Sequence, residues 1–253
     1  MSEPESETAS ETASEMESGR DRTRAHIVSV AARLLASGGR DALSTRAVAA
    51  AAGTQAPTIY RLFGDKEGLL EAVAEHGFRS YLRDKKAGPP AADPVEGLRA
   101  GWDLHVGFGL ANPALFSLMY GDPTPGRRSP AAVAAFRMLG ERIRAIAAAG
   151  RLKVGERLAA DVVHAAGCGT VFALLAMPAE ERDPRLSEVA RDAAIAAITT
   201  DAPAVETPGP AAAAMALRAA LPDATALTDG ERHVLGEWLD RLAANRRVPQ
   251  RER

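Results

Sequence analysis

Residues 44–66, STRAVAAAAGTQAPTIYRLFGDK, set the tightest limit on what this chain can fold into. Ser44 is a good N-cap, because its hydroxyl can accept from one of the amides that open a helix; Val48 and Ala52 then fall on an inward face. Gly53 stops that helix. A second short helix follows with Ile59, Leu62 and Phe63 inward. Pro57 fits it only in the first turn, where the missing N–H has no intrahelical acceptor. Two short helices about a glycine turn are the parts of a helix-turn-helix. The second is nearly bare of charge, and its outward positions, Gln55, Ala56, Thr58, Tyr60 and Arg61, are small or polar. Such residues suit the major groove. Gln and Arg can make paired hydrogen bonds to base edges, and Ala or the Thr methyl can touch a thymine methyl. Thr45, Tyr60 and Lys66 suit phosphate contacts, which fix register without reading sequence. Lys66 also stands beside a helix N-terminus, where amides and dipole favour an anion.

The charge distribution agrees. The net charge of −2 averages over unlike segments. Residues 1–19 hold six Glu and no Lys or Arg, whereas residues 20–66 hold eight basic side chains against three acidic ones, a net +5. A basic block beside an acidic tail points to a polyanionic partner. The tail has almost no apolar residue to bury and is expected to be disordered. With one cysteine, Cys168, no disulfide can form within the chain. A reducing cytoplasm fits, no secretory segment is visible, and the longest apolar run, Val171 to Met177, is too short for a bilayer.

Elsewhere the periodicity is helical throughout, and no strand or internal repeat is found. Ile27, Val30, Ala31, Leu34 and Leu35 define a first helix that ends at Gly38-Gly39. Asp65 caps a long helix with Leu70, Val73, Ala74, Gly77 and Tyr81 on one face. Gly88-Pro89-Pro90 breaks the pattern. Asp93-Pro94, Asn112-Pro113 and Ser129-Pro130 are start signals for three more helices, the last with Val133, Phe136, Leu139, Ile143 and Ile146 inward. Asp122 to Arg128 reads as a loop. Helices follow at roughly 156–176 and 184–199, then a Pro-rich loop at 201–210 and an Ala-rich helix to about Leu221. Thr228 and Glu231 have capping-box spacing and open a final helix bearing Val234, Leu235, Trp238 and Leu242. The expectation is an all-α chain: an acidic tail at 1–19, a helix-turn-helix domain at 20–66 and a larger helical bundle at 67–253.

Residues 22–82 resemble the tetracycline-repressor (TetR) family. The resemblance rests on the apolar first helix, Leu43-Ser44-Thr45-Arg46, Ala51-Ala52-Gly53, Thr58-Ile59-Tyr60-Arg61-Leu62-Phe63 and Asp65-Lys66-Glu67-Gly68-Leu69-Leu70. It implies a homodimer on palindromic operator DNA, an all-helical C-terminal domain, and repression relieved by a small ligand. It implies phosphate roles for Thr45, Tyr60 and Lys66 and base contacts from the start of the second short helix. Thr54 and Ala56 offer less polar surface there than many relatives have, which shifts base readout towards Gln55, Pro57, Thr58 and Arg61. Arg46 completes the DNA-facing set. No cofactor or metal is expected.

Three other constellations stand out. Trp102, His105, Phe108, Phe116, Met119 and Tyr120 cluster within twenty residues, where the resembling family often lines an effector pocket; His164 and Phe172 join them as candidate ligand contacts. An ordinary aromatic core is the competing account. Asp161, His164 and Cys168 lie at i, i+3 and i+7, but no further motif supports catalysis or metal binding. Ala165-Ala166-Gly167-Cys168-Gly169-Thr170 and Ala190, Ala193, Ala194 and Ala197 let helices approach closely. They suit either packing within a subunit or a four-helix dimer interface. The function classes left open are a ligand-responsive repressor, a DNA-binding regulator without a small-molecule effector, and a small helical enzyme.

Overall fold

The computed structural model of the protein describes residues 5–84, 91–122, 128–200 and 210–244. Within them the chain is helical: α1 (Glu5–Gly38), α2 (Thr45–Ala51), α3 (Ala56–Phe63), α4 (Lys66–Asp84), α5 (Pro94–Ala111), α6 (Pro113–Tyr120), α7 (Pro130–Ala148), α8 (Glu156–Leu175), α9 (Arg185–Ile198), α10 (Pro210–Ala220) and α11 (Asp229–Ala244). The described residues contain no strand, only an isolated bridge between Leu152 and Thr199. Gly88-Pro89-Pro90 and most of the 122–128 and 201–210 loops lie outside the described residues.

The local start signals act as the residue chemistry dictates. Ser44 Oγ accepts from the Ala47 amide at 3.0 Å. Asp65 Oδ1 accepts from Gly68 at 2.8 Å, and Asp93 Oδ1 from Val95 at 2.7 Å. Ser129 Oγ accepts from Ala132 at 3.2 Å. The Glu231 carboxylate accepts from the Thr228 amide at 2.8 Å while Thr228 Oγ1 accepts from the Glu231 amide at 3.3 Å, a closed capping box. Asn112 differs, since its side chain makes no capping bond and the start of α6 is set by Pro113.

The chain forms two compact units. One comprises residues 1–86 and 112–133, the other 87–111 and 134–253. In the first, α1, α2, α3, α4 and α6 share a core with Ile27, Ala31, Leu43, Val48, Ile59, Leu69, Val73 and Phe116 fully buried. Gly77 lets α4 lie against α6, since a Cβ there would meet Leu115 Cδ2 at 2.5 Å. In the second, α5, α8 and α9 pack on one another, and Arg151 grips Asp93 through two bonds of 2.8 and 2.9 Å. Arg191 bridges α9 to Asp103 of α5 at 2.8 Å. The hairpin of α10 and α11 has a small core of its own, Ala214, Leu221 and Leu239, with Leu227 and Leu235 against it.

Two expectations differ from what is found. Residues 5–19 are not without structure but continue α1 as one helix. Glu and Ala are strong helix formers, and carboxylates near a helix N-terminus favour its dipole. Val133, expected inward, is half exposed near the start of α7. On α11, for which the sequence assigns no inward face, Val234, Trp238 and Leu242 are exposed, and the hairpin core is made by Leu235 and Leu239.

Candidate nucleic-acid interface

Two glycines bound α3. Gly53 (φ +62°) turns the chain from α2 into α3, and Gly64 (φ +80°) turns it out of α3 towards α4. Both are in the left-handed region, where a side chain would clash with its own backbone. Between them Ile59 is fully buried and anchors α3 to the core, and Leu62 and Phe63 are partly buried. The opposite face is open. Gln55, Pro57, Tyr60 and Arg61 are exposed and Ala56 and Thr58 partly so, with Tyr60 retaining 52% of its accessible surface. Thr45 is partly exposed, and Arg46 and Lys66 are exposed. All nine residues expected to face DNA thus lie at the surface of α2, α3 and the start of α4.

Electrostatics separates the basic residues further. Arg40 is occupied, with Nη1 3.4 Å from Asp122 and Nη2 4.0 Å from Glu67. Among the described residues Arg24, Arg46, Arg61 and Lys66 have no carboxylate within ion-pairing distance, so their charge is open to an external anion. At this corner Asp65 Oδ1 already accepts from the Gly68 amide, and the Lys66 side chain is exposed beside it. The tight turn depends on Gly68: a Cβ there would lie 2.1 Å from the carbonyl oxygen of Phe63, the last residue of α3. Gly68 has no role that sequence reveals, since spacing cannot distinguish a close approach from an ordinary helix position.

The residues expected to line an effector site divide between the units. Phe116, Met119 and Tyr120 are in the first, where Phe116 and Tyr120 pack with ring centroids 4.8 Å apart. Trp102, His105, His164 and Phe172 are in the second. There Trp102 is buried and its indole N–H donates to Ser187 Oγ at 3.0 Å, a partner that sequence reading missed. His105 on α5 and His164 on α8 converge on Cys168, with Sγ 3.8 Å from His105 Nε2 and 3.7 Å from His164 Nδ1. Burial, reinforced by the neighbouring His164, lowers the His105 pKa to about 4. Burial raises the Cys168 thiol to about 12 and keeps it protonated, unlike an activated nucleophile. Asp161 is engaged elsewhere, accepting from Arg157 Nε at 2.8 Å. No group of three or more metal-ligating side chains is arranged to hold an ion among the described residues.

Helix α8 is the one described helix long and apolar enough to cross a membrane by length and composition. It packs against both α5 and α9. A remainder is exposed: Leu158 on α8 keeps 56% of its surface and Val189 on α9 67%, beside Ala165, Gly169, Ala193 and Ala197.

A short helix presenting a largely uncharged, hydrogen-bonding face beside unneutralised cations has the form of a helix-turn-helix. The comparisons with known proteins specify it further. Residues 27–73 match the model of bacterial regulatory proteins of the tetR family. HTH-type transcriptional regulators of Mycobacterium bovis and Mycobacterium tuberculosis are 29% identical over 138 residues, covering 51% of this chain and 58% of theirs. The chain therefore spans under two thirds of the length of the curated relatives it matches. Among solved structures, a Shewanella sp. PV-4 protein assigned to the tetR family has a TM-score of 0.55 at 20% identity, covering 70% of this chain and 98% of that one. A Rhodococcus sp. RHA1 protein of unknown function has a TM-score of 0.53 at 24% identity, covering 70% and 96%. Over residues 27–73 the chain is thus similar to the helix-turn-helix domain of tetR-family regulators.

Proposed function

We propose that the protein is a cytoplasmic transcriptional repressor that binds palindromic operator DNA as a homodimer and is released by a small molecule, with no catalytic activity. The observation that carries the DNA reading is the exposed face of α3 flanked by Arg46, Arg61 and Lys66 without carboxylate partners among the described residues. In this reading Gln55, Ala56, Pro57, Thr58 and Arg61 meet base edges, and Thr45, Arg46, Tyr60 and Lys66 hold phosphates. The dimer is supported by the exposed small and apolar surface of α8 and α9, which suits a four-helix interface with a second copy. The effector reading is supported by His105, which meets Gly167 together with Trp102, and by His164, whose ring centre lies 5.4 Å from that of Phe136, polar groups within an aromatic setting.

Sequencing genomic fragments retained by the purified protein tests this. The expected result is an inverted repeat whose half-sites lie about 34–36 Å apart on one DNA face. A footprint of one unrepeated half-site at saturating protein would overturn the dimer, and retention of no particular sequence would overturn the regulator.

One observation favours a second reading, a regulator without a small-molecule effector. The surroundings of His105 are closely packed, since a Cβ on Gly167 would approach the imidazole at 3.2 Å, and the Trp102 N–H is already satisfied. A thermal-shift screen separates the two. A compound that raises the melting temperature and weakens operator binding supports the first, and a compound-independent melting temperature supports the second.

A further inference from the structure

Arg24 lies outside the helix-turn-helix, yet its place is defined by it. The buried stripe of α1 runs through Ile27, Val28, Ala31 and Leu35. Arg24 is one turn before Ile27 and Val28 and continues that stripe to the point where α1 emerges at the surface. There its guanidinium carbon stands 5.1 Å from the centre of the Phe63 ring. Phe63 is the last residue of α3, one turn beyond the exposed Tyr60. At this distance the ring attracts the cation, and the guanidinium N–H groups have no hydrogen-bond partner among the described residues. Arg24 is exposed and has no carboxylate within ion-pairing distance among the described residues. Its neighbours on α1 differ: Arg22 bonds back to the Ser18 carbonyl at 3.2 Å, and Arg33 to Ser29 Oγ at 3.2 Å.

We propose that Arg24 is a DNA phosphate-binding residue, held in position by the Phe63 ring, so that α1 grips the backbone beside the recognition helix. The proposal rests on the reading of α2 and α3 as the DNA-binding element. Its chemistry is that of a phosphodiester: a planar fork of donors pairs two phosphate oxygens at once, and prior stacking on an aromatic ring reduces the freedom lost on binding. Phe63 then has two roles, closing the core below and fixing a cation above. This gives the aromatic residue three positions after Tyr60 a reason that apolar packing alone does not supply.

A phosphate contact is indifferent to base sequence, so the test needs no known operator. Full-length protein is titrated by fluorescence anisotropy into a random-sequence duplex of roughly 30 base pairs, between about 50 and 200 mM salt. Arg24→Ala is expected to weaken binding several-fold and to flatten the plot of log affinity against log salt by about 0.9 for each phosphate that is no longer neutralised. Arg24→Lys should keep the slope but bind less tightly. Phe63→Leu, checked for an intact melting transition, should also keep the slope and bind less tightly, because the charge remains but is no longer stacked. If Arg24→Ala leaves affinity and slope unchanged, or lowers only the melting temperature, the proposal is wrong and Arg24 serves the fold. If Phe63→Leu binds as the natural protein does, the positioning role is wrong. Absence of duplex binding by the natural protein would overturn the underlying DNA reading, a result distinct from either.

Discussion

Gly68 shows how one missing side chain sets the geometry of the turn after α3. Its Cα passes so near the Phe63 carbonyl that any Cβ must displace backbone. Gly68→Ala is therefore expected to cost about 1–3 kcal/mol, the usual penalty of overpacking, and to weaken binding to all DNA sequences by shifting the end of α3. A thermal melt and a duplex titration check both parts. The surface residues divide differently. Lys66→Ala and Tyr60→Phe should lower affinity uniformly, whereas Arg61→Ala or Thr58→Ala should relax preference at particular base positions by about 1–3 kcal/mol. A changed sequence preference with unchanged affinity in Lys66→Ala would reverse the assignment. His105 supplies a pH dependence. Its folded pKa of about 4 lies below the ordinary value of 6.5, so between those values the unfolded chain binds the proton and the native one does not. Stability is then lost as pH falls from about 6.5 to 4, by on the order of 3 kcal/mol. His105→Gln should flatten that part of the stability–pH curve measured by urea unfolding. The exposed face of α3 was legible in sequence because exposure there follows from helical spacing around Ile59. The Gly68 approach and the Trp102–Ser187 bond were not, because both depend on residues brought together only by the turn or the fold.

At the scale of the element, what the sequence reveals depends on whether the cause is local. Ser44, Asp65, Asp93, Ser129 and Thr228 announce helix starts because a cap and its amide are two or three residues apart. Which apolar residues face inward is a different question. Val133 and Trp238 fit helical periodicity, yet both are exposed, because the inward face is chosen by the helix that packs there. The same distinction bears on α8 and α9. Their small residues serve packing within the unit at Gly167, where His105 approaches, and remain uncovered at Gly169 and Ala193. Val189→Glu puts a charge on the uncovered side without entering the core. If that side is the dimer contact, sedimentation should show a large shift towards monomer with the melting transition still cooperative; an unchanged dimer would place the interface elsewhere.

For the whole molecule, the division into units cuts across chain order, since α6 returns to pack with α1 and α4 after α5 has joined the other unit. Periodicity identifies each helix but carries no record of this crossing. If a small molecule releases the DNA, operator DNA must weaken its binding by the same factor, typically about 1–3 kcal/mol. Calorimetric titration of such a compound with and without operator duplex checks this, and equal affinities would remove the compound from the regulatory role.

The α10–α11 hairpin has a consequence of another kind. Its core joins residues close in sequence, Ala214 and Leu221 with Leu239, across one short connection. Contacts of such short range need little loop closure, so the hairpin can assemble much faster than structures that join distant segments. It also follows α5, α8 and α9 in chain order and so leaves the ribosome after them. The non-local contacts of α5 with α8 and α9 close longer loops and form more slowly than this local piece. In a refolding experiment with pulsed amide exchange, α10 and α11 should become protected in the earliest resolvable phase, ahead of α5 and α9.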